Sequence, residues 1–265
     1  MPIKLYEDNE MNVLDMLHDQ YVCILFPENE HTISLANKLR NPHKQKRWMD
    51  NSANTENPPD IISPKNKMMI DVMQVDEYVQ TEIRGKKVKH INPAKASEHK
   101  KLQQLYQALP NDTQLHHVIV CDSTPFPHGY QQYCDEFKRV VEYHNSRVPA
   151  YRQNFPGYKT IFLILDLSAL YLVNPNQTPV KEGEVCQGML HYWFVDDTFI
   201  KVLQSVQCEY VVWFTPYKQP NAYCMRNVKT GEAPQLPQIC IYDIQAIQTV
   251  STIKYDAGQL HSVEV

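Results

Sequence analysis

Residues 58–77 of the chain read PPDIISPKNKMMIDVMQVDE. Two short runs, 60–63 and 68–75, flank a Pro-Lys-Asn-Lys turn. Each is bounded by turn-forming residues and is too short for a helix, so the pair reads as two adjacent strands. A hairpin of this kind carries Asp60 and Asp71 to the same end of a sheet, although they lie eleven positions apart. Asp71 stands among Met69, Ile70, Val72 and Met73. An isolated charge in such a strand is costly, so the sequence implies a compensating partner. Asp76 and Glu77 read as the solvated turn that follows.

On either side of this hairpin the apolar spacing alternates between helical and extended. Upstream, 11–18 is expected to be a short helix and 20–26 a strand. Residues 28–40 form a helix with Ile33, Leu35, Ala36 and Leu39 at helical spacing. Residues 41–58 are polar and read as a long loop. Downstream, Asn92 caps a helix that starts with Pro93 and runs to about residue 109. Residues 116–121 are a strand. The longest helical stretch is 128–154, with Tyr133, Phe137, Val140, Val141 and His144 along one face and Pro149 as a break. The TIFLILD run, 160–166, reads as a strand covered on both faces. Residues 187–195 are expected to be a strand, 197–208 a helix, and 210–215 and 239–243 strands. The order implies an α/β fold with a central mixed, partly parallel sheet and helices on both faces. One domain spans about 1–245, and 246–265 is an edge element or tail.

The 265 residues carry 26 Lys and Arg against 30 Asp and Glu, a formal net charge of -4. That is enough chain for a sizeable core. No run approaches the roughly 18 uncharged apolar residues of a membrane span, and the first residues lack the pattern of a secretory signal, so no membrane is expected. Seven cysteines never lie closer than thirteen positions apart. CxxC zinc or redox pairs are excluded, and scattered thiols suit a reducing cytoplasm. The basic residues cluster. Residues 38–47 hold five Lys and Arg and no acid, and 84–101 hold seven against Glu98 alone. Basic segments bracketing a carboxylate pair suit an enzyme acting on a polyanion, with cations on phosphates and carboxylates on metal. The competing reading is two solvated faces.

Other devices drop out. The Gly183 to Gly188 spacing matches a phosphate loop, but Met189 and Leu190 stand where it needs Lys and Ser or Thr. His116 and His117 are neighbours on a strand and point to opposite faces. The aromatic groups at 191–194 and 213–214 fit core packing better than base stacking.

Residues 28–122 resemble the PD-(D/E)xK nuclease superfamily: a helix with Glu28 and Glu30, the Pro59-Asp60 strand, the Asp71 strand, then a helix and a strand. The resemblance implies a restriction-endonuclease-like core in which Asp60 and Asp71 hold Mg²⁺ or Mn²⁺. It implies Glu30 as the helix acid and a lysine two positions after the second acid to orient the attacking water. That position is Met73. Gln74 projects from the opposite face and cannot substitute. Lys65, Lys67, Lys89 and Lys95 are nearby in sequence, and Lys95 is the expected replacement. Lys44, Lys46, Arg47, Arg84, Lys86, Lys87 and Lys89 would seat the backbone of DNA or RNA. The expected function is thus that of a divergent, metal-dependent, nuclease-like hydrolase of phosphodiester bonds. Loss of the motif lysine leaves a second reading: a non-catalytic nucleic-acid- or protein-binding module on the same scaffold. A third is a small-molecule enzyme built around Asp166 and His191, although an aspartate closing a strand is ordinarily a loop cap.

Overall fold

The structure is a computed structural model that describes residues 10–17, 21–40, 48–52, 59–76, 129–174, 188–216, 218–220 and 235–262, with the backbone of 82–83 and 86–87. In chain order, the first half contains α1 (Met11–Asp15), β1 (Cys23–Phe26), α2 (Glu30–Leu39), β2 (Met49–Asp50), β3 (Ile61–Ser63), β4 (Met68–Val75), β5 (Glu82–Ile83) and β6 (Lys86–Lys87). There follow α3 (Tyr130–Asn145), α4 (Val148–Asn154), β7 (Lys159–Asp166), β8 (Tyr171–Val173) and β9 (Met189–Leu190). The last elements are α5 (Asp197–Leu203), β10 (Tyr210–Phe214), β11 (Ile239–Asp243) and β12 (Leu260–Ser262).

Seven strands form one mixed sheet in the order β1-β11-β10-β7-β4-β3-β2. Its centre is parallel: β7 lies between β4 and β10 and runs with both. The β2-β3-β4 side is an antiparallel meander, and β11 is antiparallel to β10 but parallel to β1. β7 is apolar almost throughout because both of its faces are covered. Phe162 and Ile164 pack under α3, α4 and α5 with Phe137, Val141, Tyr151 and Phe199. Ile161, Leu163 and Leu165 face the other way, toward Val13 and Leu14 of α1 and Leu35 and Leu39 of α2. The α/β class with helices on both faces of a partly parallel sheet is therefore observed.

Local chemistry explains several boundaries. Asn29 starts α2 by accepting from the amides of His31 and Thr32, while the Thr32 hydroxyl accepts from the Asn29 amide. The stretch 128–154 is two helices rather than one. Pro149 lies in the first turn of α4, where a missing N–H leaves no bond unmade, so it helps start the second helix. The loop expected at 41–58 contains the short edge strand β2, paired with β3. Of the strand expected at 187–195, the described residues 188–195 include the strand Met189–Leu190, and a 3-10 turn occupies Trp193–Val195. A three-stranded sheet joins β12, β8 and β9, and β5 pairs with β6. A Cβ at Gly188 would fall 2.5 Å from the Val173 carbonyl oxygen, so that approach requires glycine.

Asp76 is buried, at 3% exposure, rather than part of a solvated turn. The helix expected at 92–109 and the strand at 116–121 lie outside the described residues. In space the hairpin is followed by α3 and β7, with α3 packed on β4. No described helix is long and apolar enough to cross a membrane.

Candidate active site

The site is built from the β3-β4 hairpin. Ile61 pairs with Ile70, Ile62 with Met69 and Ser63 with Met68. One step before β3, Asp60 reaches across, and its Oδ2 accepts a 2.7 Å hydrogen bond from the Val72 amide. On β4 the side chains of Met69, Asp71 and Met73 share the face under α3 and α4. The hairpin thus brings Asp60 and Asp71 together.

Their surroundings are unusual for two acids. Burial, and then the negative charge of Asp71, push the Asp60 carboxyl up to about 7, against the pull of the Val72 amide. Glu10, at the start of α1, pushes in the same upward direction. Asp71 is 1% exposed. Its Oδ2 meets His144 Nδ1, from the last turn of α3, at 2.7 Å. Its Oδ1 is buried and makes no well-aligned hydrogen bond, although the Asp60 carboxyl and the Tyr151 hydroxyl both interact with this carboxylate. The buried Tyr151 hydroxyl of α4 lies against the same carboxylate and interacts with it. Burial first, and the Asp71 charge second, hold that phenol well above its ordinary range.

The other expected residues fall elsewhere. Lys65 and Lys67 lie in the hairpin turn, beyond Ser63 and Met68 and thus at the far end from the acids. Glu30 is exposed and lines an open groove with Ile33, Ser34, Asn37, Lys38, Lys65 and Asn66. The acid whose charge acts on Asp60 from a helix is Glu10, not Glu30. Met73 is 2% exposed within the core. Lys44, Lys46, Arg47, Arg84, Lys89 and Lys95 lie outside the described residues. Lys86 and Lys87 form β6, described as backbone only.

Sequence reasoning missed Glu10, Tyr151 and the role of His144. Only His144 left a local signal, as a polar residue continuing the apolar stripe of Tyr133, Phe137, Val140 and Val141. Glu10 is fifty positions from Asp60 and is brought to it by the packing of α1.

Does the donor set suit a divalent cation? Among the described residues no three His, Cys, Asp or Glu side chains form a group able to enclose one. Two carboxylates remain. They match Mg²⁺ or Mn²⁺, hard ions that keep several waters and complete their shell with phosphate oxygens. The like charges around Asp60 fit such an ion, which would offset them.

A second polar cluster lies at the carboxyl end of β7. Asp166 Oδ1 accepts from the Ser168 amide at 3.0 Å and its hydroxyl at 2.5 Å. Its Oδ2 accepts from the Tyr133 hydroxyl at 2.5 Å, and from Trp213 Nε1 and Lys218 Nζ, each at 2.9 Å. Lys218 also donates to the Tyr133 hydroxyl at 2.8 Å and lies over that ring. Beside it, Asp196 caps α5 and bonds both His191 Nε2, at 2.7 Å, and the Tyr130 hydroxyl. Burial lowers His191 from its ordinary value and raises Tyr133 well above its own. Asp166, Asp196, His191 and Lys218 are all buried. The loop-capping role expected of Asp166 is present, with a buried ion pair added.

A scan of protein-family models, a search of curated proteins and a search of solved structures each find no match to this chain.

Proposed function

We propose that this protein is a divergent, metal-dependent, nuclease-like hydrolase that cleaves nucleic-acid phosphodiester bonds at the Asp60–Asp71 site. One observation carries the reading. A hairpin places two aspartates together, under the added negative charge of Glu10, with Asp71 almost fully buried. A chain spends stability on such an arrangement where function requires it. The helix α2 and the antiparallel meander β2-β3-β4 are the parts of the restriction-endonuclease-like reading that fall on described residues, and they support it.

Asp60 and Asp71 would hold Mg²⁺ or Mn²⁺, with Glu10 adding charge nearby. The cation would lower the pKa of a bound water and stabilise charge on the phosphate. The protein's own contributions follow from the packing. The Val72 amide fixes the orientation of Asp60, and Met69 and Met73 close the inner wall, so substrate and water approach from the half-buried Asp60 side. The basic segments 38–47 and 84–101 would take the backbone of DNA or RNA in the reducing cytoplasm.

The test is Mn²⁺-dependent cleavage of mixed DNA and RNA by wild type and Asp71→Ala, with melting curves for both. Loss of cleavage in a variant that still folds is expected. A variant that cleaves like wild type would sink the site assignment. Met73 favours the second reading, a binding module without chemistry, because a thioether neither carries charge nor transfers a proton. Nucleic-acid or protein binding that ignores both Mg²⁺ and Asp71→Asn, with no cleavage, would establish that reading instead.

A further inference from the structure

The turn from α3 into α4 carries an aromatic ring and a guanidinium side by side. Tyr143, near the end of α3, is 58% exposed. Arg147 follows one helical turn later. Its guanidinium carbon lies 5.8 Å from the centre of the Tyr143 ring and 5.5 Å from that of the buried Tyr151 ring. Packing against two rings fixes the guanidinium in place and leaves its N–H groups to point elsewhere.

Four arginines lie among the described residues, and three of them use those N–H groups within the protein. Arg40 donates to the Tyr21 carbonyl, Arg139 to Glu136, and Arg152 to the Gln207 carbonyl and to Glu209. Arg147 differs: among the described residues the contacts of its guanidinium are the two tyrosine rings. Glu142, beside Tyr143 in the chain, pairs with Lys138 at 3.8 Å instead. The pair also adjoins the acidic site. Tyr143 lies edge-on to His144 with ring centres 5.3 Å apart, and His144 meets Asp71 at 2.7 Å. Tyr151, which Arg147 covers, interacts with the same carboxylate.

We infer that Tyr143 and Arg147 form a binding platform for single-stranded nucleic acid, with an unpaired base stacked on the Tyr143 ring and a neighbouring phosphate held by the Arg147 fork. The inference deepens the nuclease reading given above and rests on it for the class of ligand. It adds that the substrate is unpaired where it meets α3. A base inside a duplex is stacked on its neighbours and cannot lie on a side-chain ring, whereas a single strand offers its base faces. The ring takes any base, and the fixed guanidinium matches two phosphate oxygens at once.

Binding is measured in EDTA, where cleavage does not enter, by fluorescence anisotropy. The probes are a labelled, mixed-sequence DNA strand of about 16 nucleotides and the matching duplex. Wild type should bind the single strand more tightly than the duplex. Tyr143→Ala should lose about 10- to 100-fold in affinity for the single strand, while Tyr143→Phe, which keeps the ring, should stay within about twofold of wild type. Arg147→Gln should bind more weakly and flatten the slope of log affinity against log salt by about 0.7, the value of one phosphate contact. A purely structural part for Arg147 would leave that slope alone. Melting curves identify any variant that fails to fold, and the two variants at the exposed Tyr143 then carry the test.

Tyr143→Ala that binds the single strand as wild type does would overturn the platform and leave the Asp60–Asp71 site standing. Wild type that prefers the duplex, or binds neither probe, would overturn it as well. The expected binding pattern without Mn²⁺-dependent cleavage would defeat the phosphodiesterase reading and keep the platform, as the working surface of a binding module.

Discussion

Asp60→Asn should make the metal-free protein more stable at pH 8 and leave it almost unchanged at pH 4. The native Asp60 carboxyl is pushed up to about 7, from the 3.8 of an ordinary aspartate, by burial and by the charges of Asp71 and Glu10. Well below pH 4 the folded and unfolded chains both keep the proton, and the residue contributes little penalty. Between pH 4 and 7 the unfolded chain ionises while the folded chain does not, so stability falls as pH rises. Above pH 7 both are ionised and the folded state bears the full cost. Roughly three pH units at about 1.4 kcal/mol each set an upper bound near 4 kcal/mol. Water entering the half-buried site reduces this to about 2 kcal/mol. Asparagine retains a side-chain oxygen for the 2.7 Å bond from the Val72 amide, so the substitution removes charge with little loss of structure. Urea unfolding in EDTA at pH 4, 6 and 8 measures the difference directly. A gap between variant and wild type that fails to widen with pH would refute the acidic-cluster account. Added Mn²⁺ should reverse the ranking, stabilising wild type and not the variant.

The remaining predictions concern burial. Lys218→Met leaves the Asp166 carboxylate in the core without its cation and should cost about 3–5 kcal/mol by urea unfolding. Adding Asp166→Asn to that variant should recover part of the loss, and a further loss instead would contradict the ion-pair assignment. Burial pushes the Cys134 thiol up to about 12 and raises Cys240 well above its usual value. Both should resist a disulfide reagent at pH 8 in native protein and react after urea is added, as peptide mapping would show. Rapid native labelling of either would mean that α3 or β11 opens far more readily than its packing implies.

Elements bounded by their own chemistry were legible in the sequence. The apolar run of β4 ends in charged or turn residues on both sides, and the expected limits match the observed Met68–Val75. β11 is delimited in the same manner. The break between α3 and α4 falls earlier than expected because Val148 continues the spacing of Val141 and His144 across the polar residues 145–147, and Pro149 signals a break where it starts a helix. Edge strand β2 was unreadable: two exposed residues, Met49 and Asp50, are extended only because β3 offers them a partner. The candidate site divides similarly. Asp60 and Asp71 share a hairpin, so local register brings them together. Glu10 reaches Asp60 and His144 reaches Asp71 only through helix packing, which one sequence does not spell out.

The described residues hold two buried polar clusters made from similar parts, and their difference separates scaffold from site. Around Asp166 the account closes: both oxygens are bonded, a lysine neutralises the charge, and Tyr133 joins the two. Around Asp71 no lysine stands beside the carboxylate among the described residues, and the further acids Asp60 and Glu10 crowd the pair instead. A carboxylate neutralised by its own lysine fixes structure, whereas crowded like charges suit a bound cation. The Asp166 cluster should therefore behave as the anchor for the first turns of α3, and not as a third catalytic candidate. Tyr133→Phe removes one hydroxyl, leaving Lys218 and Asp166 each one partner short, at a cost of about 1–3 kcal/mol. Phe137, Val140 and Val141 still hold α3 on the sheet, so the His144–Asp71 contact should persist and Mn²⁺ affinity should stay within about twofold. Tyr133→Phe and Asp60→Asn thus move stability at pH 8 in opposite directions, and only the second abolishes metal binding. If Tyr133→Phe weakened Mn²⁺ binding tenfold while the protein remained folded, the two clusters would be one coupled site joined by α3, and their separation into scaffold and site would be wrong.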